Sequence, residues 1–218
     1  MSKPLPRCPV LGLVGGIGSG KSEVAAALAR RGGCLVAGDP LGHAALRQPS
    51  VREQVVARWG QAVVDAEGEI DRSKLGALVF ADPDERAALE AIVHPWISRR
   101  LREQLIAAKA DPNCRFVVLD AAIMLEAGWR TACDVVVYVD APRAVRLKRV
   151  AAQRGWSEPE VAKREQAQLP LALKAACADT ALENSGGPEE LERHVDALLS
   201  RLGIDAAKGA ARGLASAR

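Results

Sequence analysis

The 218-residue chain lacks any paired-cysteine spacing. Cys8, Cys34, Cys114, Cys133 and Cys177 are scattered, no C-x-x-C occurs, and the odd count argues against a closed disulfide framework. That usage points to a reducing compartment. Long hydrophobic runs are also missing. None approaches the roughly 18 uncharged apolar residues that a membrane helix needs, and the apolar stretch within MSKPLPRCPVLGLVGG is too short for a signal peptide. A soluble, cytoplasmic protein with no membrane partner is expected. A marked excess of charge of one sign is absent too. The formal net charge is +3, and Lys208, Arg212 and Arg218 of the last segment AAKGAARGLASAR account for all of it, so residues 1–205 sum to zero. No nucleic-acid surface is indicated by that balance. The segment 206–218, rich in Ala and Gly with Leu214 as its sole large apolar residue, reads as a disordered tail. What remains is ordinary for a globular chain, 49% apolar and 26% charged, of a length that suits one domain with lobes.

Short apolar runs alternate with longer helical patterns, the signature of βαβ units and a parallel sheet. The runs are VLGLV at 10–14, CLVAG at 34–38, FVVLD at 116–120, VVVYV at 135–139 and, more weakly, TALEN at 180–184. Residues 39–115 carry no strand signal. Helical spacing appears there instead, in SVREQVVARWG from Ser50, DRSKLGALVF from Asp71, and a run from Asp82 to Lys109 with Leu89, Ile92, Val93, Trp96, Ile97, Leu101 and Leu105 on one stripe. Asp82-Pro83 reads as an N-cap followed by proline at the first helical position. His94-Pro95 is expected to kink or divide that helix, because proline lacks a donor and clashes with the preceding turn. Beyond VVVYVD, a helix carries Arg146, Lys148 and Arg149, then Arg154-Gly155-Trp156, and Ser157-Glu158-Pro159 starts another that runs toward Cys177. Two basic helices joined by a glycine turn suit a lid. GGPEELERHVDALLSRLG closes the fold with Leu191, Val195, Leu198, Leu199 and Leu202 as its buried stripe. The expected organisation is a single domain over 1–205: a core of 8–42, 114–150 and 178–205, a helical lobe 43–113 for a second substrate, and a lid 151–177.

Gly15-Gly16-Ile17-Gly18-Ser19-Gly20-Lys21-Ser22 fits G-x-x-x-x-G-K-[ST], directly after a strand and at the opening of a helix. Glycines let the backbone wrap a phosphate so that successive N–H groups form an anion nest. Lys21 brings charge to the β and γ phosphates, Ser22 offers a hydroxyl to Mg²⁺, and the helix N-terminus adds its dipole. Glu23 stands where a threonine hydroxyl often reaches the α phosphate, and contributes only its backbone N–H. Asp120, at the end of the third strand, offers a carboxylate for Mg²⁺ or an ordinary cap. Asp39, just after the second strand at the carboxyl edge where open α/β sheets bind ligands, is the candidate general base; Asp39-Pro40 also reads as a simple turn or cap. Arg149, Arg154 and Arg164 are candidate cations for the moving phosphoryl group, or surface arginines. His94 is either an acceptor contact or a packed histidine. No N-K-x-D guanine-reading string is present. The small size, helical insertion and arginine-rich segment favour a kinase over a nucleotide-driven switch.

Taken together these pieces resemble the dephospho-CoA kinase family from Leu11 to about Leu199. The family's G-G-I-G-S-G-K-S is matched at Gly15–Ser22. Its D-x-D segment is matched by AGD at Ala37–Asp39, with Ala37 replacing the first acid. Its H-P pair is His94-Pro95. Its D-x-P-L-L-x-E is DAAIMLE, which keeps Asp120 and Glu126 and has Ala122 for the proline. Arg164, Gln168, Ala178-Asp179 and Asn184-Ser185-Gly186 match its later segments in order. The resemblance implies an α/β, three-layer P-loop kinase fold with a five-stranded parallel sheet, a helical acceptor lobe and a helical lid. It implies that ATP phosphorylates the ribose 3′-hydroxyl of dephospho-CoA to give coenzyme A and ADP, the last step of coenzyme A biosynthesis, with Mg²⁺ as cofactor. Asp39 would be the base, with Lys21 and Arg149 as transition-state cations. ATP would contact Gly15 to Glu23, Arg149, Arg154 and Asn184, and the acceptor Asp39, His94, Glu126 and Arg164. Ser22 and Asp120 would organise the metal. A monomer or weak homo-oligomer is expected. The alternatives are another small P-loop nucleoside or metabolite kinase, or a nucleotide-binding regulatory ATPase.

Overall fold

The computed structural model describes residues 4–121 and 124–204, so the expected tail and the Ala122 replacement lie outside the described residues. In chain order the elements are β1 (Val10–Gly15), α1 (Lys21–Ala29), β2 (Gly33–Ala37), α2 (Asp39–Leu46), α3 (Pro49–Trp59), α4 (Arg72–Ala81), α5 (Pro83–Ala110), β3 (Phe116–Asp120), β4 (Val135–Asp140), α6 (Arg143–Arg154), α7 (Glu158–Gln166), α8 (Leu171–Ala176), β5 (Thr180–Glu183) and α9 (Pro188–Arg201). They fall into two compact units, Gly38–Gln104 and the described residues on either side of it.

The larger unit is built on a five-stranded parallel sheet of order β2-β3-β1-β4-β5. β1 is buried along its whole length, and its neighbours are nearly so, as a parallel sheet covered on both faces requires. Leu11 and Leu13 of β1, Val118 of β3 and Val135, Val137 and Val139 of β4 pack with α1 (Val24, Leu28) and α9 (Val195, Leu198, Leu199). From β1 the chain crosses toward β2, whereas from β4 it crosses the other way to β5. Right-handed crossovers in opposite directions place the connecting helices on opposite faces, giving three layers. On the face of β1 carrying Gly12, a Cβ would stand 2.5 Å from the Cys133 sulfur and 2.6 Å from that of Met124, so only glycine lets this segment close on the strand. Two aspartates fix strand starts: Asp134 accepts from the Val10 N–H at 2.8 Å, and Asp179 from the Val136 N–H at 2.7 Å.

α1 and α9 are also joined by charge. Arg31 donates to both carboxylate oxygens of Asp196, at 2.5 and 2.8 Å, and pairs with Glu192, which also receives Arg30. The Arg31 hydrogen bonds hold the Asp196 carboxyl below its ordinary range. Burial pushes Glu192 up, but Arg31 and Arg30 outweigh it and the net shift is downward. Carboxyls lowered in this way stabilise the fold above their unfolded pKa, and that stability is lost as pH falls through the folded values. Arg31→Ala is expected to lower Tm at pH 7 by about 2–4 °C. Thermal melts at decreasing pH should show the gap from wild type closing below about pH 4.

The second unit, Gly38–Gln104, has its own core, in which Val51 and Val55 of α3, Val63, Ile70, and Leu75 and Val79 of α4 pack with Leu89, Ile92, Val93 and Trp96 of α5. Asp71 caps α4 by accepting from the Ser73 and Lys74 amides, and Asp82 accepts from the Asp84 amide at the start of α5.

Three local expectations are corrected. His94-Pro95 does not divide its helix, since α5 runs 28 residues through Pro95; the apolar stripe on both sides of it, with Ile97 and Leu101 buried, offsets the one lost donor. The helix expected from Glu158 toward Cys177 is two helices: α7 ends at Gln166 and α8 starts after Pro170, a residue that disfavours helical backbone at the position before it. Asp39-Pro40 is the first turn of α2 rather than an isolated turn.

Candidate active site

The loop between β1 and α1 leaves the carboxyl edge of the sheet where the crossovers from β1 and β4 part in opposite directions, the place where open α/β sheets bind ligands. Its turn depends on two glycines: Gly18 at φ 77° and Gly20 at φ 84° lie in the left-handed region that L side chains seldom adopt. Gly20 is the N-cap of α1 and has no side chain to bond the first helical amides. Those amides therefore face the loop as donors for an anion. Lys21 folds its ammonium back onto the Gly15 and Gly16 carbonyls, at 3.2 and 3.4 Å. The Ser22 hydroxyl donates to Asp120 Oδ2 at 3.1 Å, which joins the start of α1 to the end of β3. Glu23 is exposed on the same helical turn.

Two arginines of α6 hold this loop from outside. Arg146 is buried, donating from one guanidinium nitrogen to the Ile17 carbonyl at 3.1 Å and to Glu165 Oε1 at 2.5 Å. Burial pushes the Glu165 carboxyl up, but Arg146 and Arg143 outweigh it and keep it lowered. Arg149 donates to the carbonyls of Ser19, at 3.3 Å, and Asn184, at 2.8 Å. Asn184 is itself buried and its amide donates to the same Ser19 carbonyl at 2.8 Å. Losing that bond frees one brace of the phosphate loop. Asn184→Ala is expected to raise the KM for ATP about tenfold with a smaller change in kcat, measurable by steady-state kinetics.

The other candidates are placed as follows. Arg154 and Arg164, on α6 and α7, both stack on Trp156, their guanidinium carbons 4.8 and 3.9 Å from the ring centre. Glu126 accepts from the Leu169 amide at 3.0 Å and pairs at 3.2 Å with Lys174, which is nearly fully buried and also donates to Gln168 Oε1 at 2.9 Å. Thus Glu126 and Gln168, separate matches in the sequence, meet at one buried lysine. Asp39 is exposed at the start of α2, two residues after Ala37, which pairs in register with Asp120. His94 is half-buried within α5. These last two belong to the second unit.

Arg146, Glu165, Trp156 and Lys174 were not singled out from the sequence as site residues. Arg146 had a usable signal: it lies three residues before Arg149, hence on the same face of α6. Lys174 had none, because a lysine on a short helix reads as surface.

A dephospho-CoA kinase family model matches residues 9–190. The dephospho-CoA kinase of Anaeromyxobacter dehalogenans is 41% identical over 196 residues, 88% of this chain and 92% of that protein. A crystal structure from Thermus thermophilus superposes with a TM-score of 0.77 at 38% identity, covering 90% of this chain and 99% of that one. The dephospho-CoA kinase structure from Campylobacter jejuni, at 22% identity, shares the fold with a TM-score of 0.63 over 88% of this chain and 96% of that one. A glycine loop braced on Ser19 and Ile17, a serine bonded to the β3 aspartate, and similarity across nearly the full length agree: the chain belongs to the dephospho-CoA kinase family.

Proposed function

We propose that the protein transfers the γ-phosphoryl group of ATP to the ribose 3′-hydroxyl of dephospho-CoA, giving coenzyme A and ADP in the last step of coenzyme A biosynthesis. The observation that carries this reading is the Ser22–Asp120 contact at 3.1 Å beneath a glycine loop whose amides open α1, in a chain of this family. Two hard oxygens, a hydroxyl and a carboxylate, suit Mg²⁺, which prefers one or two protein oxygens alongside waters and phosphates. Among the described residues no group of three or more His, Cys, Asp or Glu competes with that arrangement. Ser22 and Asp120 would hold the ion, and when bound it neutralises charge on the phosphates.

The remaining work falls to the chain. The amides after Gly15 cradle the phosphates of ATP, and Lys21 moves from the Gly15 and Gly16 carbonyls onto the β and γ phosphates. Arg149 and Asn184 keep the loop in shape through Ser19, and Arg149 turns to the transferring group when ATP is bound. Arg154 and Arg164, presented as a stacked pair on Trp156, contact the phosphates of the two substrates as α6 to α8 cover the site and exclude water. Asp39 accepts the proton of the 3′-hydroxyl as it attacks, and His94 and Glu126 contribute to the acceptor pocket. No described helix is long and apolar enough to cross a membrane. We assign the reaction to the cytoplasm and to a monomer or weak homo-oligomer, with neither nucleic acid nor membrane as partner.

Incubation with Mg-ATP and dephospho-CoA should release ADP many times faster than Mg-ATP alone. Equal rates would remove the assignment and leave a nucleotide-binding regulatory ATPase, or, with a panel of other nucleoside acceptors, a different small-molecule kinase.

A further inference from the structure

The amino edge of the sheet holds a cavity that the phosphate chemistry does not use. It has a volume of about 630 Å³ and lies among the segment before β1, the end of α5, the turn before β3 and the residues after α9. β1 separates it from the glycine loop by roughly 20 Å, six residues at about 3.3 Å each. Its walls carry three cations, Arg7, Lys109 and Arg115, against one carboxylate, Asp111. With three cations against one carboxylate, the walls favour an anion in the cavity.

Thiols are gathered at the same place. Cys8 and Cys114 both line the cavity, with their sulfurs 3.9 Å apart, and Cys34 of β2 lies near Cys114 as a third free thiol. That gap must close to roughly 2.05 Å for a disulfide to form. Cys8 is half-buried, whereas Cys114 is buried, and burial pushes its thiol well above the usual range. Cys8 is therefore the thiol that a molecule in the cavity meets first. Exposed Cys177 and buried Cys133 lie elsewhere in the fold and have no such surroundings.

We propose that this cavity binds an anionic low-molecular-weight disulfide and that Cys8 is its thiol–disulfide exchange site. The Cys8 thiolate attacks one sulfur of the disulfide R–S–S–R. A Cys8–S–S–R bond forms, the original S–S bond breaks, and R–S⁻ leaves and takes up a proton from water. Cys114 can then attack the Cys8 sulfur and expel the second R–S⁻, closing a Cys8–Cys114 disulfide. The external disulfide is the sole oxidant, and it is reduced to two thiols as the two cysteines are oxidised. Since Cys114 resists ionisation, the second step is the slower and the mixed disulfide accumulates. Oxidised coenzyme A, a phosphate-bearing disulfide, fits the class; that choice of ligand rests on the proposed reaction, while the exchange site does not.

The test uses the reduced full-length protein without ATP. It is mixed at neutral pH with oxidised coenzyme A, oxidised glutathione or the cationic disulfide cystamine, then quenched with acid and mapped by peptide mass spectrometry. Cys8 should carry the adduct, or the Cys8–Cys114 bond, about tenfold or more faster with either anionic disulfide than with cystamine. Faster reaction of oxidised coenzyme A than of oxidised glutathione identifies phosphate as the preferred anion, and equal rates identify carboxylate as sufficient. Arg115→Gln should narrow the gap between the anionic and cystamine rates, mainly by slowing the anionic disulfides. Labelling of Cys177 with Cys8 untouched would overturn the proposal, as would equal rates for anionic and cationic disulfides at Cys8 in the unaltered protein. Because kinase activity is not read, failure here leaves the proposed reaction standing, and failure of the kinase assay leaves this site standing.

Discussion

Lys21→Met is expected to lower phosphoryl transfer by about 10³-fold, at the upper end of what one preorganised donor contributes to a charged transition state. The methionine keeps the apolar stem, so the loss is one of charge and donors rather than packing. In the unliganded loop the ammonium bonds the Gly15 and Gly16 carbonyls at 3.2 and 3.4 Å, contacts that any cation near the loop would make. On the proposed mechanism its effect grows as negative charge builds on the γ phosphate, so kcat should fall more than ATP affinity. Titration calorimetry with ATP beside single-turnover kinetics separates the two. A variant that lost binding and kept the chemical step would make Lys21 a loop strut.

Asp39→Asn should leave ATP binding within about twofold and reduce kcat by about 10²–10⁴-fold, the span over which a positioned general base acts. Asparagine is the same size and still suits the first turn of α2, where Asp39 sits beside Pro40. A stability change therefore does not explain a kinetic one. Ala37, where the family has an acid, makes the substitution more telling, because no second carboxylate precedes Asp39 by two residues to take the proton. Turnover equal to wild type would return Asp39 to the role of a helix-start residue.

Much of this arrangement was legible in the sequence, for identifiable reasons. β1, β3 and β4 are buried on both faces, so they read as uninterrupted apolar runs, and the four-residue edge strand β5 was correspondingly weaker. The glycine loop was legible because phosphate binding needs particular backbone angles, which Gly18 and Gly20 adopt. α2 was not, since Pro40 and Gly42 in DPLGHAAL resemble a turn until Leu41 and Ala45 find a core. The split of α7 from α8 turned on one proline whose weight depends on what surrounds it, and at Pro95 the same residue type left the helix whole. Buried charge was the least visible. Arg146 beneath the Ile17 carbonyl and Lys174 between Glu126 and Gln168 are solvated side chains by every local criterion, and only the folded arrangement supplies their partners. Breaking such a pair strands a charge in the interior, so Lys174 and Glu126 are tied to each other's presence.

The destination of the phosphate is tested most directly by locating it. The protein is incubated with dephospho-CoA and Mg-ATP carrying a labelled γ phosphate, and the product is examined by phosphorus NMR and mass spectrometry. The account predicts one labelled phosphomonoester per acceptor, on the ribose 3′-oxygen, with an equal amount of ADP. Label released as inorganic phosphate, or carried at any other position of the acceptor, would contradict it.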